Sequence, residues 1–247
     1  MTENRSMKDH YRSPEEVGIS LKAAGINDLN LIKEFLSRPE IDSLFTPVLS
    51  DPVRGITIDE RVERKFKQGV WMIAIHDGAV IGCMAVVPNK VPLDVPRPDS
   101  SKGIDISEGI SLREWDVEKI MELSTVVTDP RIKKTLMVKG VGTELLEMAK
   151  EWVKSEGNGK WGLITDSWVG GDMEGFIATI NTRKYQAWLE KNKQPSSLGK
   201  GQFFDTLARV YSDPGKRGKE GPPTVIYGIP ISDNDWNFFL RKQKEIG

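Results

Sequence analysis

The stretch MVKGVGTELLEMAKEW, Met137–Trp152, carries two glycines, Gly140 and Gly142, at the mouth of a run whose apolar residues Leu145, Met148, Ala149, Trp152 and Val153 recur at helical spacing. Before it, KIMELSTVV, Lys119–Val127, reads as a strand, and a basic connection, TDPRIKKTLM, joins the two. A strand, a loop with paired glycines and then a helix make an anion site. Glycine lets the backbone approach a phosphate closely, the first N–H groups of a helix have no intrahelical acceptor, and the helix dipole leaves partial positive charge there. Lys133, Lys134 and Lys139 add positive charge around the same mouth. The plainer alternative is that the glycines only turn the chain tightly into a helix.

Two common phosphate patterns fit this loop poorly. The Walker pattern G-x-x-x-x-G-K-[ST] has no match in GVGTEL. For a dinucleotide fingerprint, Asp166 ends the next strand 24 residues after Gly142 (166 − 142), near the expected offset. But Leu145 stands where the third glycine belongs, and the connection from strand to first glycine is long where that turn is tight.

The run ELSTVVTDPRIKKTLMVKGVGTELLEMAKEW, Glu122–Trp152, resembles the core motif of the GNAT family of N-acetyltransferases. That pattern is a strand ending in V-x-P, then Q/R-x-x-G-x-G/A, then a helix with L-L-x-x-A. Thr128-Asp129-Pro130 stands at V-x-P, and Met137-Val138-Lys139-Gly140-Val141-Gly142 at the glycine motif, with Met137 in place of Gln or Arg. Leu145-Leu146 and Ala149 follow in step, and the loop from Pro130 to the glycines is longer than the family's.

The resemblance implies an α/β (α+β) fold with a mixed, mostly antiparallel central sheet flanked by helices. It implies acetyl-CoA as cosubstrate and no metal. The N–H groups of Val138, Lys139, Gly140, Val141, Gly142 and Thr143 would hold the diphosphate, and the backbone of Val126, Val127 and Thr128 would pair with the pantetheine amides. The implied reaction is direct attack of a primary amine on the thioester, so a group must take the amine proton. Glu122 lies six residues before Thr128, an even spacing that puts both on one sheet face. Asp166 is the second candidate base. Phe204 falls where the family's tyrosine acid belongs, which leaves Tyr185 and Tyr211 as nearby candidates. The acceptor, a small-molecule or peptide amine, is unspecified. The alternatives are a catalytically inactive GNAT-fold module that binds CoA, and a transferase for a longer acyl group.

The rest of the chain is consistent with one mixed domain over residues 18–247, after a polar tail at 1–17. ISLKAA suits a strand, INDLNLIKEFLSRPE a helix with Leu29, Ile32, Phe35 and Leu36 on one face, and TIDERVERKFKQG a second helix ending at Gly69. Asp77-Gly78 joins two β-rich runs as a hairpin. Inserts at about 89–118 and 170–200 would shape the acceptor side. QFFDTLARVYSD reads as a short helix, TVIYGIPI as a strand, and the chain ends in a helix capped by Ser232 or Asp233. With 247 residues and a formal net charge of −1, nothing points to nucleic acid or a membrane surface. A single cysteine, Cys83, rules out an internal disulfide. Two histidines, His10 and His76, leave little material for imidazole catalysis. The N-terminus has no apolar leader, so the expected setting is the cytoplasm. Pairing with a second copy through the terminal strand and helix is left open.

Overall fold

The computed structural model describes residues 11–44, 56–89, 114–168, 186–192, 210–211 and 224–246. Its strands are β1 (Ser20–Ala23), β2 (Val70–His76), β3 (Ala79–Pro88), β4 (Lys119–Thr128), β5 (Trp161–Trp168), β6 (Val210–Tyr211) and β7 (Thr224–Gly228). They lie in the order β1-β2-β3-β4-β5-β7-β6. The β4–β5 ladder is parallel, and the ladders β1–β2, β2–β3, β5–β7 and β6–β7 are antiparallel. This is the mixed, mostly antiparallel sheet that the sequence leads one to expect. The helices are α1 (Leu29–Leu36), α2 (Pro39–Asp42), α3 (Ile58–Gln68), α4 (Ile132–Thr135), α5 (Val141–Glu156), α6 (186–191) and α7 (Asp233–Ile246). The residues group into two compact units: Met1–Val86 with Thr125–Ala149, and Val87–Ser124 with Lys150–Gly247.

In the first unit, local signals and burial agree. The α1 residues Leu29, Ile32, Phe35 and Leu36 are all buried, one stripe at helical period. Helix α3 opens on a reciprocal cap: the Glu60 N–H donates to Thr57 Oγ1 at 3.1 Å, and the Thr57 N–H donates to Glu60 Oε2 at 2.9 Å. The hairpin turns at Asp77 (φ 50°) and Gly78 (φ 77°), the left-handed pair that a two-residue turn matching strand twist requires. Ile32, Phe35, Ile41, Val62, Trp71, Ile73, Cys83 and Val127 share one apolar cluster. The Cys83 thiol is wholly buried, which pushes its pKa up and leaves it no thiolate chemistry at neutral pH.

The expected tail at 1–17 is corrected for its described part. The Ser13 N–H donates to Glu16 Oε2 at 2.7 Å and the Glu16 N–H to Ser13 Oγ at 3.4 Å across the start of a 3-10 turn at Glu15–Val17, closed by Gly18 at φ 73°. Arg12 forms a parallel bridge with Val138. The segment takes part in the fold because its backbone groups find partners 126 positions away (138 − 12), contacts that no local signal announces.

In the second unit, β5 sits between β4 and β7. The parallel ladder runs from Lys119↔Trp161 to Leu123↔Thr165, and the antiparallel one from Ile164↔Gly228 to Trp168↔Thr224. Trp115 anchors the interior. Its ring stacks on Phe238 at 5.9 Å and meets Phe239 edge-on at 5.1 Å, and its Nε1–H donates to Asp235 Oδ1 at 2.8 Å. Ser232 caps α7 by accepting the Asp235 N–H at 3.2 Å, while Asp235 Oδ2 accepts the N–H groups of Ile231 and Ser232. Helix α5 ends through Asn158 (φ 47°) and Gly159 (φ 73°), with the Gly159 N–H on Lys154 O at 2.9 Å.

Gly162 faces the Trp115 ring so closely that a Cβ there would lie 2.5 Å from its Cη2. Gly162→Ala is therefore expected to destabilise the protein by about 1–3 kcal/mol, as overpacking of a filled interior does. A lower urea midpoint at unchanged slope is the readout.

The expected helix at 202–213 is corrected at its one described end: Val210–Tyr211 is a strand paired with Ile226 and Val225. A two-residue strand owes its form to its partner, so single-strand propensity does not reveal it.

Candidate functional site

Burial alternates along β4: Met121, Leu123, Thr125 and Val127 are buried, and Glu122, Ser124, Val126 and Thr128 half-buried. At its end the Asp129 N–H donates to Ile81 O of β3 at 2.8 Å. By alternation the main-chain groups of Thr128, and of Val126 two residues before it, face the edge away from β3. Among the described residues that edge has no strand partner at Val126–Thr128, since the ladder to β5 stops at Leu123. Gly82 of β3 leaves room for the Thr128 side chain, since a Cβ there would lie 3.1 Å from Thr128 Cγ2.

The chain then turns on Asp129, whose carboxylate is 6 % exposed. It accepts the Arg131 N–H at 2.9 Å, Nε at 3.0 Å and Nη2 at 2.7 Å, and Arg131 Nη2 reaches Glu40 Oε1 at 3.0 Å. The Arg131 guanidinium holds the Asp129 carboxyl below its ordinary value of 3.8. A group whose folded-state pKa is depressed stabilises the fold above its unfolded value, and that contribution is lost as pH falls through the folded value. Asp129→Asn is expected to cost about 1 kcal/mol at neutral pH, small because Arg131 is more than half exposed. The gap between variant and unaltered protein should narrow in acid, below pH 3.8; thermal midpoints across the acid range measure it.

After α4 the loop passes Met137 at φ 52° and Gly140 at φ 97°. The second conformation is one that glycine adopts freely and other residues rarely do, and nothing lies within 4 Å of where a Cβ on Gly140 would sit. The Glu144 N–H donates to Gly140 O at 2.8 Å, which makes Gly140 the first acceptor of α5. Among the described residues the N–H groups of Val141, Gly142 and Thr143 then have no protein acceptor. They stand at the positive end of a 16-residue helix, held in place by the buried stripe Val141, Leu145, Leu146, Ala149 and Val153.

One predicted donor is corrected. The Lys139 N–H donates to Arg12 O at 3.3 Å, so it is not open to an anion. The Lys139 ammonium lies 3.7 Å over the Tyr11 ring. Lys134 is exposed. Val138 is 3 % exposed, its side chain anchoring the loop.

The remaining candidates belong to the second unit. Glu122 is half-buried in β4, in register with Ile164. Asp166 lies in β5 opposite Ile226, and Tyr211 in β6 opposite Val225; their side chains fall outside what is described. Tyr185 and Phe204 lie outside the described residues altogether. Among the described residues there is no group of His, Cys, Asp and Glu that could hold a metal ion. No described helix is long and apolar enough to cross a membrane. Sequence reasoning missed Arg12 and the Asp129–Arg131 pair. The i, i+2 spacing of opposite charges in TDPR was the available signal for the pair; Arg12 had none.

No protein-family model matches this sequence, and a search of curated proteins finds no match. Solved structures similar to the chain include an acetyltransferase of the GNAT family from Staphylococcus aureus, at TM-score 0.43 and 10% identity over 86% of this chain and 100% of that one. Another, from Streptococcus pneumoniae, gives 0.43 and 14% over 87% and 99%. A protein assigned to the same family from Desulfovibrio desulfuricans gives 0.45 and 11% over 87% and 100%. Likeness of this extent provides no side-chain correspondence, so each residue role rests on this chain's own geometry.

Proposed function

We propose that this protein is an acetyl-CoA-dependent N-acetyltransferase acting on a primary amine. The observation that carries the proposal is the set of N–H groups at Val141, Gly142 and Thr143, without protein acceptors among the described residues, at the positive end of α5. A diphosphate is the ligand that open amide donors in the first turn of a helix and the helix dipole suit. The half-buried edge at Val126 and Thr128, with main-chain groups directed away from β3, offers amide partners of the kind a pantetheine arm takes.

Acetyl-CoA supplies an activated thioester carbonyl. The amine nitrogen forms a bond to that carbon, the carbon–sulfur bond breaks, and the electron pair leaves on sulfur. The amine proton passes to a carboxylate, for which Glu122 is the first candidate and Asp166 the second. The thiolate takes a proton from solvent or from an acid such as Tyr185 or Tyr211. The acceptor is a small molecule or a peptide. Acetyl is preferred here over longer acyl groups on the motif alone, and competition between acyl-CoAs of different length tests that choice.

The decisive experiment incubates the protein with acetyl-CoA and a panel of amines and follows free thiol. Amine-dependent thiol release supports the enzyme. A rise in thermal midpoint with acetyl-CoA but no release would support a binding module instead. The engaged Lys139 N–H and the exposed Met137 within the glycine motif favour that second reading.

A further inference from the structure

Resting on the acetyl-CoA reading of the glycine loop, we propose that Tyr11–Arg12 is a strap that positions this loop and sets its affinity for the CoA diphosphate. Arg12 grips the loop at three residues, Leu136, Met137 and Lys139. Its N–H donates to Met137 O at 2.8 Å, its carbonyl accepts the Lys139 N–H at 3.3 Å, and its guanidinium Nη2 donates to Leu136 O at 2.9 Å. Tyr11 adds a fourth contact, its ring 3.7 Å below the Lys139 ammonium.

The place of these contacts gives them their consequence. Met137 holds φ 52°, a conformation that costs a non-glycine residue free energy and persists only where its surroundings enforce it. Arg12 bonds the carbonyls on both sides of that strained φ, at Leu136 and Met137. It also fixes the amide of Lys139, which precedes Gly140, the carbonyl that starts α5. Directions of the open N–H groups at 141–143 follow from where that first turn begins. A loop free to relax at Met137 would present them as an ensemble, and a ligand needing all three would bind only the fraction correctly arranged. The Lys139 ammonium is also kept beside the loop by the Tyr11 ring. Arg12 is thus a positioning residue: it acts on the ligand through the loop.

The test compares the full chain with Arg12→Ala, which removes the guanidinium, Arg12→Pro, which also removes the N–H donor, and Arg12→Lys, which keeps a cation able to reach Leu136 O. Binding of acetyl-CoA and of acetyl-pantetheine, which lacks the diphosphate, is measured by calorimetry. Arg12→Ala and Arg12→Pro should weaken acetyl-CoA binding by about 3- to 10-fold, the worth of one or two hydrogen bonds. Acetyl-pantetheine binding should be unchanged, and Arg12→Lys should restore most of the loss. A merely structural role would move both ligands together. Hydrogen exchange at the Lys139 amide should speed up in Arg12→Pro.

Equal acetyl-CoA affinity in all variants, or parallel loss of both ligands, overturns the strap while leaving the acetyl-CoA reading intact. No binding of acetyl-CoA by the unaltered protein overturns that reading. The exchange arm then judges the strap alone, since a Lys139 amide that exchanges at the same rate with and without Arg12→Pro overturns it.

Discussion

Glu122→Gln is expected to lower turnover by about 10²- to 10⁴-fold, the usual contribution of a positioned general base, with acetyl-CoA affinity unchanged. An alkyl amine with pKa about 10 is mostly protonated at neutral pH and must lose a proton to attack. Glu122 lies in the half-buried row of β4, four residues before Val126 and six before Thr128, on the same alternation as the edge proposed to take the pantetheine. Glutamine keeps the size of the side chain and its acceptor oxygen but takes no proton. The substitution therefore separates proton transfer from packing. The measurements are kcat with the best amine of the panel, Kd for acetyl-CoA, and the pH dependence of kcat, whose acidic limb should vanish in the variant. Asp166→Asn, measured alongside, decides the assignment: full turnover in Glu122→Gln with loss in Asp166→Asn moves the base to β5.

What the sequence discloses and what it hides divide along the range of the contacts. The four apolar residues of α1 announce their own burial through helical period, and all four are buried. Asp77-Gly78 announces its turn because the two-residue hairpin needs left-handed φ at both positions, and both have it. Gly140 is legible for the same reason. The order strand, glycine loop, helix is likewise written locally, in the alternation of β4 and the stripe of α5. By contrast, β6 exists through its partner β7: Val210 and Tyr211 are β-favouring residues, but a run of two is too short to announce a strand, and in sequence they read as part of a helix. The Arg12 bridge to Val138 joins segments with no common pattern. That bridge is also why Lys139, which the motif counts among the anion donors, has its N–H turned to another task. Local rules place the donors on the loop; only the folded chain decides which of them remain open.

Gly142→Asp provides the sharpest test of those open donors, because it moves stability and binding in opposite directions. Gly142 is the second residue of α5, with no positive φ to bar a side chain. An acidic group in the first turn of a helix interacts favourably with the dipole by about 0.3–1 kcal/mol, and replacing a helical glycine gains a few tenths more. The thermal midpoint should therefore hold or rise. For a diphosphate seated on the N–H groups of residues 141–143 the same carboxylate is a like charge at close range. At about 4 Å and an effective dielectric of about 20, a single pair of unit charges repels by about 4 kcal/mol. Even if solvent and side-chain rotation remove most of that, affinity for acetyl-CoA should fall by at least about tenfold. Acetyl-pantetheine, without phosphate, should bind as before. Raising the salt concentration should narrow the deficit for acetyl-CoA, since screening weakens repulsion between partly exposed charges. If Gly142→Asp binds acetyl-CoA as tightly as the unaltered protein, the diphosphate does not sit on this helix, and the glycine pair serves only the turn into α5.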